Sequence, residues 1–138
     1  MIHRAPMRAR DREVLGAGYG LGHGLVGIGA APDDEKARRM RDGFAALPDG
    51  DFVWTRAADG MYWLGRIAGP YRYDDSPAAR EVGIHHVRPA TWLDRPFGED
   101  EVPSGVAATF ARGGRNFQRI HDEGAERRTT ELWDSART

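Results

Sequence analysis

Residues 50–92 hold the side chains best suited to chemistry: Trp54, Tyr62, Trp63, Tyr71, Tyr73 and Trp92, interleaved with Arg56, Arg66, Arg72 and Arg88. Rings at strand spacing can stack on a flat ligand, and guanidiniums between them can pair with its acidic groups. A small chain also needs large rings to build a core, so a core position is the alternative for each of them. Catalytic groups are sparser. His85 and His86 are adjacent, so on a strand they point to opposite faces and cannot hold one ion together; His3, His23 and His121 lack metal-ligand spacing. Asp74, Asp75 and Glu81 are not followed by the lysine that a restriction-type nuclease core needs, and no serine nucleophile elbow is present. The glycine-rich stretch 13–30 contains no GxxxxGK[ST] phosphate loop. We therefore expect no catalytic residue, no metal site and no cofactor.

The elements that must position these side chains follow from periodicity. Phe52, Trp54 and Arg56 alternate with Asp51, Val53 and Thr55, residues 57–60 supply a turn, and 61–68 form a second apolar run, which together predict a hairpin. A third strand is expected over 82–93, after an acidic loop containing Ser76-Pro77. Upstream, 13–30 reads as two short strands with glycines at turns or close approaches. Residues 32–47 read as a helix capped by Asp33, with Ala37, Met40, Phe44 and Leu47 as its apolar stripe. Downstream, 94–103 is a loop, 104–111 a short helix, Gly113-Gly114 a tight turn, and 115–120 a closing strand. Residues 122–138 read as a helical tail anchored by Leu132 and Trp133.

Composition bounds the class. A chain of 138 residues is expected to form one domain with its own core, and its net charge of −1 argues against a uniformly basic nucleic-acid binder. The charge is uneven, however: residues 1–12 carry Arg4, Arg8, Arg10 and Arg12 against Asp11, which reads as a flexible basic arm. Lys36 is the only lysine, an arginine bias that a GC-rich genome also produces. No cysteine, no membrane-length apolar run and no secretory leader are present, so a soluble, cytoplasmic protein is expected. The expected fold is α+β, a small curved, mostly antiparallel sheet or partial β-barrel with peripheral helices. It divides into an arm (1–12), a domain (13–121) and a tail (122–138).

The order GDFVW (50–54), YWLGRIAGPYRY (62–73), HHVRPATWL (85–93), then Val102-Pro103 before a short apolar helix, then RNFQRI (115–120), resembles EVE-like members of the PUA-like superfamily. It is similar in particular to the N-terminal recognition domains of Mrr-type, modification-dependent restriction endonucleases, over residues 24–121. The resemblance implies a DNA-binding module that flips a modified base, foremost 5-methylcytosine, into an aromatic pocket, the cost of unstacking being offset by stacking and base-edge hydrogen bonds. Its matching positions are Trp54, Tyr71 and Tyr73. Relatives often read I-G-W where this chain has Ile28-Gly29-Ala30, so Tyr19, Trp54 or Trp63 would replace the missing tryptophan. Methylated double-stranded DNA is the implied partner, with any nuclease in a separate domain or protein; oligomeric state is left open. The alternatives are an ASCH-like hydrolase of modified nucleosides and an RNA-binding PUA-like domain.

Two further groups of residues are expected at the DNA. Arg56, Arg72, Arg88, Arg112 and Arg115 flank the aromatic segment or the glycine turn, whose amides suit a phosphate. Asn116 and Gln118, two apart on the closing strand, share a face and carry amides suited to a base edge, with capping of loop backbone as the alternative.

Overall fold

The computed structural model describes residues 1–9, 14–29, 34–114 and 116–136. Its strands are β1 (Ile2–Arg4), β2 (Leu25–Gly29), β3 (Phe52–Arg56), β4 (Tyr62–Ile67), β5 (Arg72–Tyr73), β6 (Ile84–Trp92) and β7 (Gln118–Arg119). They form one strongly curled, mixed sheet, a half-barrel in the order β2-β6-β4-β3-β1-β7, with β5 added to β6. Five helices surround it among the described residues: α1 (Ala17–His23), α2 (Glu35–Ala46), α3 (Pro77–Val82), α4 (Ser104–Ala111) and α5 (Glu123–Ala136). The α+β class and the curved sheet agree with the sequence expectation.

The hairpin forms as its alternation dictates, with Trp54 opposite Leu64 and Thr55 opposite Trp63. Neither face of the sheet is polar because both are covered. Val53, Ile67, Val26, Ile84 and Val87 pack with Phe44 of α2 in one core. Ile2, Phe52, Trp54, Tyr62 and Leu64 pack with Val106 of α4 and Leu132 and Trp133 of α5 in a second. Period-two apolar positions therefore serve two interiors, one per face.

Three local readings are corrected. Residues 1–4 are not a free arm: β1 lies parallel to β3 (Ile2 beside Phe52, Arg4 beside Trp54) and antiparallel to β7, and Ile2, His3 and Arg4 are buried. Ala5, Met7 and Ala9 are buried as well, while residues 10–12 of the expected arm lie outside the described residues. The first expected strand of 13–30 is instead helix α1. A Cβ on Gly16 would meet Met7 O at 2.7 Å, and one on Gly20 would meet Leu25 O at 2.6 Å. These glycines thus let one helical face lie directly on neighbouring backbone, a spacing of four that fits helix packing. The acidic loop after β5 contains helix α3, capped by the Ser76 hydroxyl accepting from Ala79 N (3.2 Å), with Pro77 in the first turn. Helix α2 starts on Asp34, whose carboxylate accepts from Ala37 N (2.7 Å); Asp33, the expected cap, lies outside the described residues. The tail is helical as expected, and α5 is part of the second core rather than an appendage.

Candidate functional site

The aromatic residues expected to share one pocket separate into different environments. Trp54 is 0% exposed, set edge-on to Phe97, and its Nε1 donates to Thr129 Oγ1 of α5 (3.1 Å). With its ring in the second core and its one polar atom satisfied, it is a core residue and offers no face to a base. Tyr19 and Tyr71 pack against the first core, across the sheet. Trp63 is half-buried on β4. The expected cage of Trp54 with Tyr71 and Tyr73 is thus not assembled, because alternation puts Trp54 on the opposite face.

The tyrosines instead join a polar cluster at the β5–β6 edge. The Tyr19 hydroxyl donates to Asp74, which holds the Asp74 carboxyl below the usual carboxylate range, while burial and then Asp74 push the Tyr19 phenol up. The Tyr71 hydroxyl hydrogen-bonds His86 Nδ1 (2.7 Å), and burial, followed by the charges of Arg41 and His85, lowers the His86 pKa. His85 Nδ1 donates to the Asp74 carbonyl (2.8 Å), and its ring stacks on Tyr73 at 5.3 Å. Tyr73, 55% exposed, is the one expected stacking ring that lies open to solvent, beside the exposed Arg72. His85 and His86 differ in their hydrogen-bond partners, but both rings meet Tyr73, His85 stacked and His86 edge-on at 5.4 Å.

The arginines also divide. Arg88 is 3% exposed: its Nε donates to Gly69 O (2.6 Å), Nη1 to the Phe44 and Ala45 carbonyls at the end of α2, and Nη2 to Asp49 (2.9 Å). It caps a helix inside the fold and does not reach a DNA path, which corrects its assignment. Arg56 is exposed at the end of β3, its Nε donating to Gly60 O (3.3 Å) and its guanidinium lying 5.4 Å over the Tyr62 ring. Arg112 is exposed at the C-cap of α4, and Arg115 lies outside the described residues.

One cleft brings together two features expected separately. A cavity of about 270 Å³ is bounded by Pro6, Arg8 and Leu15, by the hairpin turn from Arg56 to Gly60, and by Phe110, Gly113 and Gly114. Gly113 and Gly114 have φ of 77° and 99°, a left-handed pair that side chains rarely adopt, and a Cβ on Gly113 would meet only open space. The turn is held from beneath by Arg4, 4% exposed, whose guanidinium donates to Thr109 O (2.8 Å), Gly113 O (2.7 Å) and Asn116 O (3.0 Å). Burial, and then the nearby charge of Arg112, disfavours the Arg4 proton; the three carbonyls offset this at the Nη atoms, while Nε is buried without a partner. Two cations, a ring and a glycine turn around a volume just below the roughly 300–1,000 Å³ of small-molecule sites suit one small planar group with hydrogen-bond acceptors on its edge.

Asn116 and Gln118 are not neighbours on one strand. β7 holds only Gln118 and Arg119, both exposed, and Asn116 precedes it, half-buried. Phe117 between them does face inward, stacked on His3 at 5.2 Å and edge-on to Phe44. Sequence reasoning missed Arg8, Leu15 and Phe110 as cleft residues; the signal available for Arg8 was its place in the basic N-terminal run. Among the described residues no group of histidine, aspartate and glutamate could hold a metal ion, and no helix is long and apolar enough to cross a membrane.

Compared with protein-family models and with curated proteins, the chain matches none.

Proposed function

We propose that the protein is a DNA-binding module that takes one modified base, foremost 5-methylcytosine, into the cleft between its N-terminal segment, the β3–β4 turn and Gly113-Gly114. The observation that carries this reading is the meeting of Arg8, Arg56, Phe110 and the left-handed glycine pair around about 270 Å³. In this reading Arg56 pairs with phosphate or a base edge with the charge of Arg8 nearby, the Gly114 amide takes an anionic oxygen while the Gly113 amide stays on Phe110 O (3.0 Å), and Pro6, Leu15 and Ala57 offer an apolar wall to a methyl group. The ring stack lost on flipping is replaced by Phe110 within the cleft, and exposed Tyr73 offers a further stacking surface at the β5 edge. The sequence resemblance to EVE-like recognition domains supports the same reading. So does the chemistry of the cleft, whose described lining supplies cations, backbone amides and a ring, the parts of a binder. A restriction or defence role, with the nuclease carried elsewhere, is the context that the resemblance implies.

The test is a binding panel of methylated, hydroxymethylated and unmodified duplexes with matching RNA, run on the wild type and Arg56→Gln. The expected result is tighter binding of the methylated duplex and about tenfold weaker binding by the variant. Equal affinity for all duplexes would remove the modified-base reading, and binding of RNA alone would replace DNA as the ligand.

A further inference from the structure

Bordering the Gly113-Gly114 turn at Arg112 lies a second concavity of about 320 Å³, between the face of α4 that carries Gly105, Ala108 and Thr109 and the β7 edge. Its charged lining is Arg4, Arg112, Arg119, His121 and Asp122, with Gln118 beside them. Three guanidiniums thus face one carboxylate, and that carboxylate is engaged: Asp122 Oδ1 accepts from Ala125 N (3.0 Å) at the start of α5. Arg112 and Arg119 are both exposed, and neither forms an ion pair with a described carboxylate. Elsewhere on the surface Arg39, Arg80, Arg95 and Arg128 each have an acidic partner within 3.2 Å, while exposed Arg72 and Arg127 have no ion pair with a described carboxylate and line neither concavity. The buried Arg4 spends its Nη atoms on carbonyls of the turn, so it adds positive potential without competing for an anion. Burial, and after it the charge of Arg112, lowers the Arg4 pKa.

We propose that this groove is a phosphate site, in which Arg112 and Arg119 grip a backbone phosphate of the same nucleic acid whose base enters the adjacent cleft. The proposal rests on the reading above for the source of the phosphate, but the site chemistry is independent of it. Both concavities border the 112–114 segment, one contributing Gly113 and Gly114 and the other Arg112. A strand crossing this turn would meet both a base-sized space and paired guanidiniums. Arg119 belongs to an edge strand, so a charge there also discourages edge pairing between copies. That bland role would not require a concavity, nor a second unpaired guanidinium on a different element facing it.

Two measurements on the intact chain test the site. Pyrophosphate is titrated while the arginine side-chain N–H signals are followed by NMR; saturable shifts at Arg112 and Arg119 are expected, lost in Arg119→Gln. Arg119 is exposed on β7, so this variant should fold normally. In parallel, the salt dependence of unmodified-duplex binding is compared for the wild type, Arg119→Gln and Arg128→Gln, the last removing a charge from α5 away from the groove. The slope of log K against log salt should fall by about 0.9 in Arg119→Gln and stay unchanged in Arg128→Gln. Absence of pyrophosphate shifts overturns the site. Pyrophosphate shifts with an unchanged duplex slope overturn the backbone assignment and leave a site for free phosphate. If the wild type binds no duplex at all, the base-reading proposal fails, and the pyrophosphate titration alone decides this one.

Discussion

Arg88 and Arg56 are the same residue type thirty-two positions apart in one sheet segment, yet their surroundings give them opposite work. Arg88 is enclosed, with every charged hydrogen-bonding arm committed to the end of α2, the 69 carbonyl or Asp49. Replacing it with methionine removes a donor from the Gly69, Phe44 and Ala45 carbonyls, of which Phe44 O keeps only the long bond from Leu47 N (3.4 Å), and the expected loss is about 3–5 kcal/mol in chemical denaturation. Binding selectivity per folded molecule should not change; a stable Arg88→Met variant with weakened DNA binding would return this residue to the contact surface. The histidines give a second residue-scale test. Burial lowers the pKa of both His3 and His86, outweighing for His3 the hydrogen bond it donates to Asp51 at 2.9 Å. The unfolded chain therefore binds protons more readily than the native one near pH 6.5. Stability is full above that pH and declines as pH falls through it, and His86→Gln should flatten part of the decline in thermal melts between pH 7.5 and 5. An identical decline in the variant would show that His86 does not titrate differently on folding.

At the scale of elements, α1 is where packing overrode composition. Seven glycines in 16–29 argued for turns and strands, but Gly16 and Gly20 lie on the helical face against Met7 and β2. Gly20→Ala places a methyl 2.6 Å from Leu25 O, so despite alanine's better helix propensity it should destabilise the fold by about 1–3 kcal/mol. Gly18→Ala, whose Cβ meets nothing within 4 Å, should be neutral or stabilising, and the pair compared by denaturation separates packing from propensity. The hairpin, α2, β6, α4 and α5 were legible because each carries its own periodicity or cap. Strand β1 was not, since three residues, Ile-His-Arg, hold no pattern and become a strand only by pairing with β3 and β7, which lie about 50 and 115 positions away in sequence. The site was legible in the same proportion: Arg56 and the glycine turn have local signals, whereas the partition of Trp54 from Tyr71 follows from which face each core covers. Ser76-Pro77, a cap followed by proline, did mark α3, and was missed because the surrounding acidic residues read as loop.

Across the whole molecule the chain closes on itself through its first strand. Arg4 reaches the carbonyls of 109, 113 and 116, Ile2 O accepts from Ile120 N (2.9 Å), and Trp54 ties β3 to α5. The N-terminal residues therefore carry the floor of the turn that both concavities share, and what happens at residue 4 is felt more than a hundred positions away. With 20 basic against 21 acidic residues the net charge is near zero, so in the proposed DNA-binding reading affinity would come from local cations held in place. Arg4 is a positioning residue in this scheme: its charge goes to carbonyls, it touches no phosphate, and it releases no counterion. Arg4→Met should keep the stem's apolar contacts, lose about 3 kcal/mol or more of stability, and still unfold in one transition because β1 is held between β3 and β7. Binding of the methylated duplex should weaken with the salt slope unchanged, since the turn is displaced while Arg56, Arg112 and Arg119 remain. A slope reduced by about one would instead make Arg4 a direct phosphate contact, and an unaltered affinity in a folded variant would show that the 113–114 turn needs no support from β1 to do its work.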